Sequence, residues 1–250
     1  MWYNYIMLSS LNAHERDKNI HFEEKGHIYT INGNKGYTSV TTWLKQFFNK
    51  FDAEKIINKM MKSPKWPESK YYGMTKEEIK KSWNDNGDNA AKLGTDMHKM
   101  FEDYYNGIEV QGAGIEYEYF QNFIKDHPHL KPFRSEWTVY DEALKLSGSI
   151  DMLFINEDGT LSIYDWKRCK SLEKFVMYNQ FALGPARHLP DTNFWHYSIQ
   201  LNAYKLIIER NYGYTIKDMY LVCIHPELDT NYQTHEVSPM NMTPLIEYNK

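Results

Sequence analysis

Apolar residues recur at Leu93, Met97, Met100, Phe101 and Tyr104. Those offsets lie on one stripe of a helix, and Asn106-Gly107 marks its end. A second helix is expected over about 115–125, where Tyr119, Phe120, Phe123 and Ile124 are apolar and Pro128 follows. The pattern then turns to strands over 134–140, 144–155 and 161–167, the last two joined by the turn Asn156-Glu-Asp-Gly-Thr160. A long helix is predicted over about 195–211, with Ile199, Ala203, Leu206 and Ile207 toward a core and Gly213 near its end. A final strand over 217–225 stops at Pro226. Upstream, turn signals around Gly26 and 32–36 flank a short strand-like run at 27–31, and a helix is expected to start after Thr38 or Ser39. From residue 86 the order is helix, strand, strand, strand, helix, strand, which indicates an α/β or α+β domain.

The 250 residues suit one large domain, or a core with an added lobe. With 42% hydrophobic and 25% charged residues, the chain is expected to be neither disordered nor membrane-embedded. The N-terminus lacks a basic stretch and a small-residue cleavage site, so no secretory leader is expected. Cys169 and Cys223 are too few for a disulfide framework, a four-cysteine zinc site or an iron–sulfur cluster, which suggests an intracellular protein. Abundant Tyr, Asn, Lys and Ile is read as the imprint of an A/T-rich genome, viral or phage. The net charge of −4 argues against a uniformly basic nucleic-acid binder. Residues 45–81 alter that picture: ten lysines face five acids, a local excess of five positive charges. This stretch is expected to form short helices and loops, either as a solvated surface or as a phosphate-contacting lobe. The expected division is a mixed, mostly helical region over 1–85 and a core over 86–250.

The chemistry concentrates in Gly148-Ser-Ile-Asp151 and Tyr164-Asp-Trp-Lys167. Asp165 and Lys167 are two apart on a strand and continue the face of Leu161 and Ile163. Charges at the end of an apolar face are costly unless partnered. The hairpin brings Asp151 toward Asp165, and two converging carboxylates repel unless a cation lies between them. The cluster reads as a Mg2+ or Mn2+ site beside a phosphate. The plainer alternative is a structural salt bridge on an edge strand. Gly94, His98 and Glu102 are spaced by four and share a helix face. His98 offers a ligand nitrogen or is a satisfied core histidine; Glu102 is solvated or paired with a lysine; Gly94 would let the helix pack closely. Gln200 and Tyr204 share a face of the late helix and can hydrogen-bond a phosphate or a metal-bound water, or are simply packed.

Taken in order, Gly94-Thr-Asp-Met-His98, Gly148-Ser-Ile-Asp151, Asp165-Trp-Lys167 and Gln200-Leu-Asn-Ala-Tyr204 resemble the PD-(D/E)XK nuclease superfamily, in its RecB-like and lambda-type exonuclease branch. Ser39-Val-Thr-Thr42 is similar to an N-terminal element of phage-type members. The resemblance spans about residues 37–225. It implies a restriction-endonuclease-like αβββαβ core with a mostly helical N-terminal extension. It implies that His98, Asp151, Asp165 and the Trp166 carbonyl ligate the metal, that Lys167 orients or activates water and stabilises charge, and that Gln200 and Tyr204 position the helix and the phosphate. Glu136 ranks lower as a member of this set. Ile150 stands where the family name has proline, and Asp165 is one methylene shorter than glutamate. The branch that holds an iron–sulfur cluster is excluded by the cysteine count.

The expected function is a Mg2+- or Mn2+-dependent deoxyribonuclease, first an exonuclease acting on single-stranded DNA or duplex ends. Lys170, Lys174 and the basic stretch would steer the strand, and Trp43, Trp66 or Trp83 would stack on an unpaired base or serve as core. The rivals are a structure-specific endonuclease, an inactive nucleic-acid-binding protein of the same fold, and a phosphatase-like enzyme for small phosphates.

Overall fold

The computed structural model describes residues 7–111, 114–175 and 180–248. In chain order the elements are α1 (Leu8–Leu11), β1 (Ile20–Glu23), β2 (Ile28–Ile31), β3 (Thr38–Ser39), α2 (Val40–Trp43), α3 (Ala53–Met61), α4 (Lys76–Tyr105) and α5 (Ile115–Asp126). They continue as β4 (Lys131–Asp141), β5 (Leu146–Ile155), β6 (Leu161–Lys167), α6 (Asn193–Asn211), β7 (Ile216–Cys223), β8 (Gln233–Glu236) and α7 (Thr243–Ile246).

The architecture is mixed α/β. The larger sheet runs β3-β5-β6-β7-β8, and β4 also pairs with β5. β4, β5 and β6 are antiparallel neighbours, while β7 lies parallel to β6 after the crossover through α6. β6 feeds two cores because its side chains alternate. Leu161 and Ile163 join a cluster with Ile199, Leu201 and Ile207 of α6, whereas Tyr164 and Trp166 join one with Met97 and Phe101 of α4 and Phe120 and Phe123 of α5. The sheet therefore lies between the two helix sets. Its alternation brings Asp165 to the α6 side, as the pattern of the strand predicts.

The chain divides into two compact units, residues 1–49 with 97–250, and residues 50–96. These do not coincide with the expected division at residue 85. Residues 7–49 join the larger unit through apolar residues such as Tyr29, Ile31, Val40 and Phe47 in its core, and through polar contacts. β3 pairs in parallel with β5, and Thr38 N–H donates to the Lys145 carbonyl at 2.8 Å. Asp17 accepts from Arg134 Nη1 at 2.7 Å and from Trp137 Nε1 at 2.8 Å. Arg16 lies over the Tyr140 ring at 4.0 Å. β1 and β2 form a separate two-stranded sheet, and the short β3 and β8 have no signal in the sequence pattern. The helix expected from Leu93 starts much earlier, at Lys76, where Thr75 caps it by accepting from Glu78 N–H. The polar run between Asn84 and Asn89 hides this first half from a periodicity count.

In the unit 50–96, α3 is capped by Asp52, whose carboxylate accepts from Lys55 N–H at 2.9 Å. Ile57 and Ile79 are buried there, and Lys55, Lys59 and Lys62 remain exposed along α3. Among the described residues no helix is long and apolar enough to cross a membrane.

Candidate metal centre

The β5–β6 ladder runs from the pair Ile155–Leu161 and ends at the pair Met152–Tyr164. The next pair would be Asp151 and Asp165. There the strands part, and β5 carries on beside β4 and β3 while β6 carries on beside β7. At the fork the Asp151 carboxylate accepts the Trp166 N–H at 2.8 Å. A side chain thus takes over a backbone donor that the separating ladder leaves free.

His98 enters from α4. Its Nε2–H donates to the Trp166 carbonyl at 2.9 Å. That bond turns Nδ1 toward Glu136 Oε1 at 3.5 Å and Asp151 Oδ2 at 3.6 Å. Among the described residues His98, Glu136 and Asp151 each offer a ligand atom, all within 4.8 Å of one another. Glu136 reaches this position because its φ is +44°, which breaks the regular alternation of β4. Its other oxygen accepts from Ser149 Oγ at 2.9 Å.

Asp165 and Lys167 stand beside this group. Lys167 Nζ lies 2.5 Å from Asp165 Oδ2, but the approach is not aligned as a hydrogen bond, and both Asp165 oxygens are buried without one. Lys167 also sits 4.6 Å above the Tyr197 ring. Burial pushes the Asp165 carboxyl up to about 7, with Asp151 adding to the rise and Lys167 opposing it. Burial likewise raises Asp151, against the pull of His98 and Lys167. Burial would lower His98, but Asp151 and Glu136 outweigh it and lift the imidazole to about 9. Burial would also lower Lys167, but Asp165 and Asp151 outweigh it and raise the ammonium. A lysine held above its ordinary value is a fixed charge and a poor base.

The sequence-derived set is placed as follows. His98, Asp151, Asp165 and Lys167 come together. Glu136, ranked below them in the sequence, takes part in the tight group, whereas Asp165 is displaced toward Lys167. The Trp166 carbonyl already accepts from His98. Gln200 and Tyr204 are buried and bonded to each other, Nε2 to Oη at 3.3 Å. Tyr204 packs on Gly148, so that a Cβ there would lie 2.7 Å from its ring. Burial raises Tyr204 well above its ordinary value. Tyr204 therefore supports the strand at Gly148, and Gln200 holds the Tyr204 hydroxyl. Glu102 lies 3.6 Å from Lys99, one of its two expected roles. Beyond its own helix turn, no atom of the described residues lies within 4 Å of where a Gly94 Cβ would sit, so the expected close packing is not seen. Lys170 is paired with Glu227 at 2.6 Å, and Lys174 lies 4.6 Å from the Phe194 ring. Trp43 meets Phe47 edge-on, Trp66 meets Tyr72, and Trp83 donates to Tyr71 Oη at 2.9 Å. Tyr197 is a member of the site that the sequence reading does not include, although it precedes Tyr204 by two helical turns on the same face.

No family model matches the chain, and no curated protein matches it. Among solved structures, the chain is similar to SSO0001, with a TM-score of 0.38 and 12% identity, covering 85% of this chain and 73% of that one. It is also similar to a protein from Eubacterium rectale provisionally named an exonuclease, with a TM-score of 0.33 and 15% identity, covering 83% of this chain and 74% of that one. At these TM-scores neither likeness bears on the fold or the chemistry.

Proposed function

We propose that this chain is a metal-dependent nuclease of the PD-(D/E)XK kind that hydrolyses phosphodiester bonds in DNA, with exonuclease action on strand ends as the first reading. The carrying observation is the convergence of His98 Nδ1, Glu136 and Asp151 at the β5–β6 fork, beside the Asp165–Lys167 pair. The order of two helices, three antiparallel strands, a helix and a parallel strand also fits the αβββαβ core of that superfamily.

The donor set suits a divalent cation. A ligating histidine commonly gives its second N–H to a backbone carbonyl, and His98 does this at Trp166. Asp165 Oδ1 is buried without a partner and provides a further acceptor, while Oδ2 pairs with Lys167. His98, Glu136 and Asp151 would hold Mg2+ or Mn2+, with Asp165 next to them. A bound divalent ion lowers the pKa of a coordinated water and offsets phosphate charge. The chain's own contribution is positional. Trp166 fixes the tautomer and orientation of His98. Asp165 and the Tyr197 ring hold the Lys167 ammonium, which places a positive charge where negative charge grows on the phosphate. Tyr204, held by Gln200, braces Gly148 and so the strand that bears Asp151. The exposed lysines of α3 would add attraction for the phosphate backbone.

The test uses end-labelled linear DNA and closed circular DNA, with Mg2+, with Mn2+ or with chelator. Metal-dependent loss of linear DNA alone is expected. Nicking of circles would replace the exonuclease reading with an endonuclease. DNA binding without cleavage of either form would refute hydrolysis.

A further inference from the structure

The two cysteines lie far apart in sequence but meet beside the candidate site. Cys169 Sγ and Cys223 Sγ are 3.0 Å apart, both as free thiols. Cys223 ends β7 and is the register partner of Lys167 on β6. Cys169 lies two residues beyond Lys167. The Lys167 carbonyl accepts from Cys169 N–H at 3.1 Å and from Ile224 N–H at 2.9 Å. Both thiol-bearing segments are therefore tied to the backbone of the same lysine.

We propose that Cys169 and Cys223 form a redox site, a dithiol that closes reversibly to a disulfide and shifts the backbone at Lys167. A disulfide needs the sulfurs about 2.05 Å apart. The required approach is about 1 Å. The partners differ in the way such a pair requires. Cys169 is half-buried and reachable, while Cys223 is fully buried directly behind it. As the more exposed member of the pair Cys169 is the attacking sulfur; the contact with Cys223 lowers its pKa and Lys167 adds to that, against burial and Asp165.

The oxidant is a small disulfide such as oxidised glutathione. The Cys169 thiol loses its proton and attacks one glutathione sulfur; the S–S bond of the oxidant breaks, and the leaving thiolate takes up that proton. Cys223 then attacks Cys169 Sγ, the second glutathione leaves with the Cys223 proton, and the internal disulfide is complete. Two electrons pass from the protein thiols to one oxidised glutathione, giving two reduced glutathiones.

The redox site is independent of the function proposed above; its effect on rate rests on that reading. The full chain is incubated folded with oxidised glutathione, then analysed by intact mass, free-thiol count and peptide mapping. The expected result is loss of two hydrogens and both thiols, a Cys169–Cys223 cross-link, and recovery with dithiothreitol. Cys223→Ser should instead hold a stable glutathione adduct on Cys169. Persistence of both thiols in the wild type, or an adduct on Cys169 that never resolves, overturns the redox site. For DNA hydrolysis with Mg2+ or Mn2+, the oxidised protein is expected to be slower by up to about a hundredfold, since a ~1 Å misplacement of reacting groups can cost that much. Equal rates of the two forms would overturn the link to Lys167. No cleavage by the reduced protein would refute the nuclease reading and leave the mass result standing.

Discussion

Gly148 is the residue at which the packing beneath the candidate site is most easily probed. A Cβ built there lies 2.7 Å from Tyr204 Cε1, 2.9 Å from its Oη and 3.2 Å from Cζ. Ordinary contact begins at 3.4 Å, so the ring or the strand must move by about 0.7 Å. Tyr204 is only 2% exposed and has nowhere to turn. Overpacking of this kind costs about 1–3 kcal/mol. Alanine in a strand otherwise gains roughly 0.5–1 kcal/mol over glycine. Gly148→Ala should therefore be destabilising in the wild type, by up to about 2.5 kcal/mol. In a Tyr204→Leu background the same change should be neutral or stabilising. Tyr204→Phe should not rescue it, because Cε1 remains. Urea unfolding of the four members of each cycle gives the coupling directly. An equal cost of Gly148→Ala in the wild type and in the Tyr204→Leu background would refute the argument that the ring is what requires glycine.

Other substitutions test other links. Asp17→Asn should cost about 1.5–3 kcal/mol at neutral pH, because it removes the charged partner of buried Arg134. Burial opposes but Arg134 and the backbone donor of His14 hold the Asp17 carboxyl below its usual value. Its contribution is thus full above the unfolded value of about 3.9 and lost as pH falls through the folded one, so urea melts of wild type and variant should converge in acid. Lys167→Met should abolish cleavage in the DNA assay. It should also leave a protein more stable at about pH 5 than pH 8, since its buried acids lose their cation and fold best when protonated; a pH-independent melting difference would count against the pairing. His98→Gln should weaken Mn2+ binding by about tenfold or more in calorimetry, and an unchanged titration would return His98 to a purely structural role. Glu136→Gly and Glu136→Val both remove the carboxylate, but valine at a φ of +44° should cost about 1–3 kcal/mol more in a thermal melt.

The parts of the fold that are legible in the sequence are those with a dominant local period. β6 coincides with its expected bounds because Leu161, Ile163, Tyr164 and Trp166 bury on both faces and a turn sets its start. α5 and α6 lie within two residues of their expected bounds for the same reason. The first half of α4 is not legible, because its polar residues carry no stripe. β3 and β8 escape because two- and four-residue strands are defined by their partners and not by a pattern of their own. The attachment of residues 7–49 combines buried Tyr29, Ile31, Val40 and Phe47 with contacts of Asp17, Arg16 and β3, the latter to residues more than a hundred positions away. For the candidate site, the mutual approach of the residues is legible and their bonding pattern is not. Spacing brings His98, Asp151, Asp165 and Lys167 forward. It has no way to show that Trp166 orients His98, or that Tyr204 spends its hydroxyl on Gln200.

Glu136 shows why. In an unbroken strand its carboxylate would follow the alternation of Ser135 and Trp137, and the ladder to β5 would include it opposite Asp151. The register instead passes from Ser135–Met152 to Trp137–Ile150. A left-handed backbone at a residue with a Cβ costs about 1–2 kcal/mol, and nothing in glutamate favours it. Here it accompanies a carboxylate aimed at His98 Nδ1 and secured by Ser149. On the other side of the same fork, Asp151 has left the ladder to accept Trp166 N–H. Both departures from regular sheet geometry occur at one level and turn acids toward one imidazole. Local irregularity repeated on adjacent strands and converging on one imidazole is the geometric support for the metal site proposed above. A structural salt bridge on an edge strand would need neither.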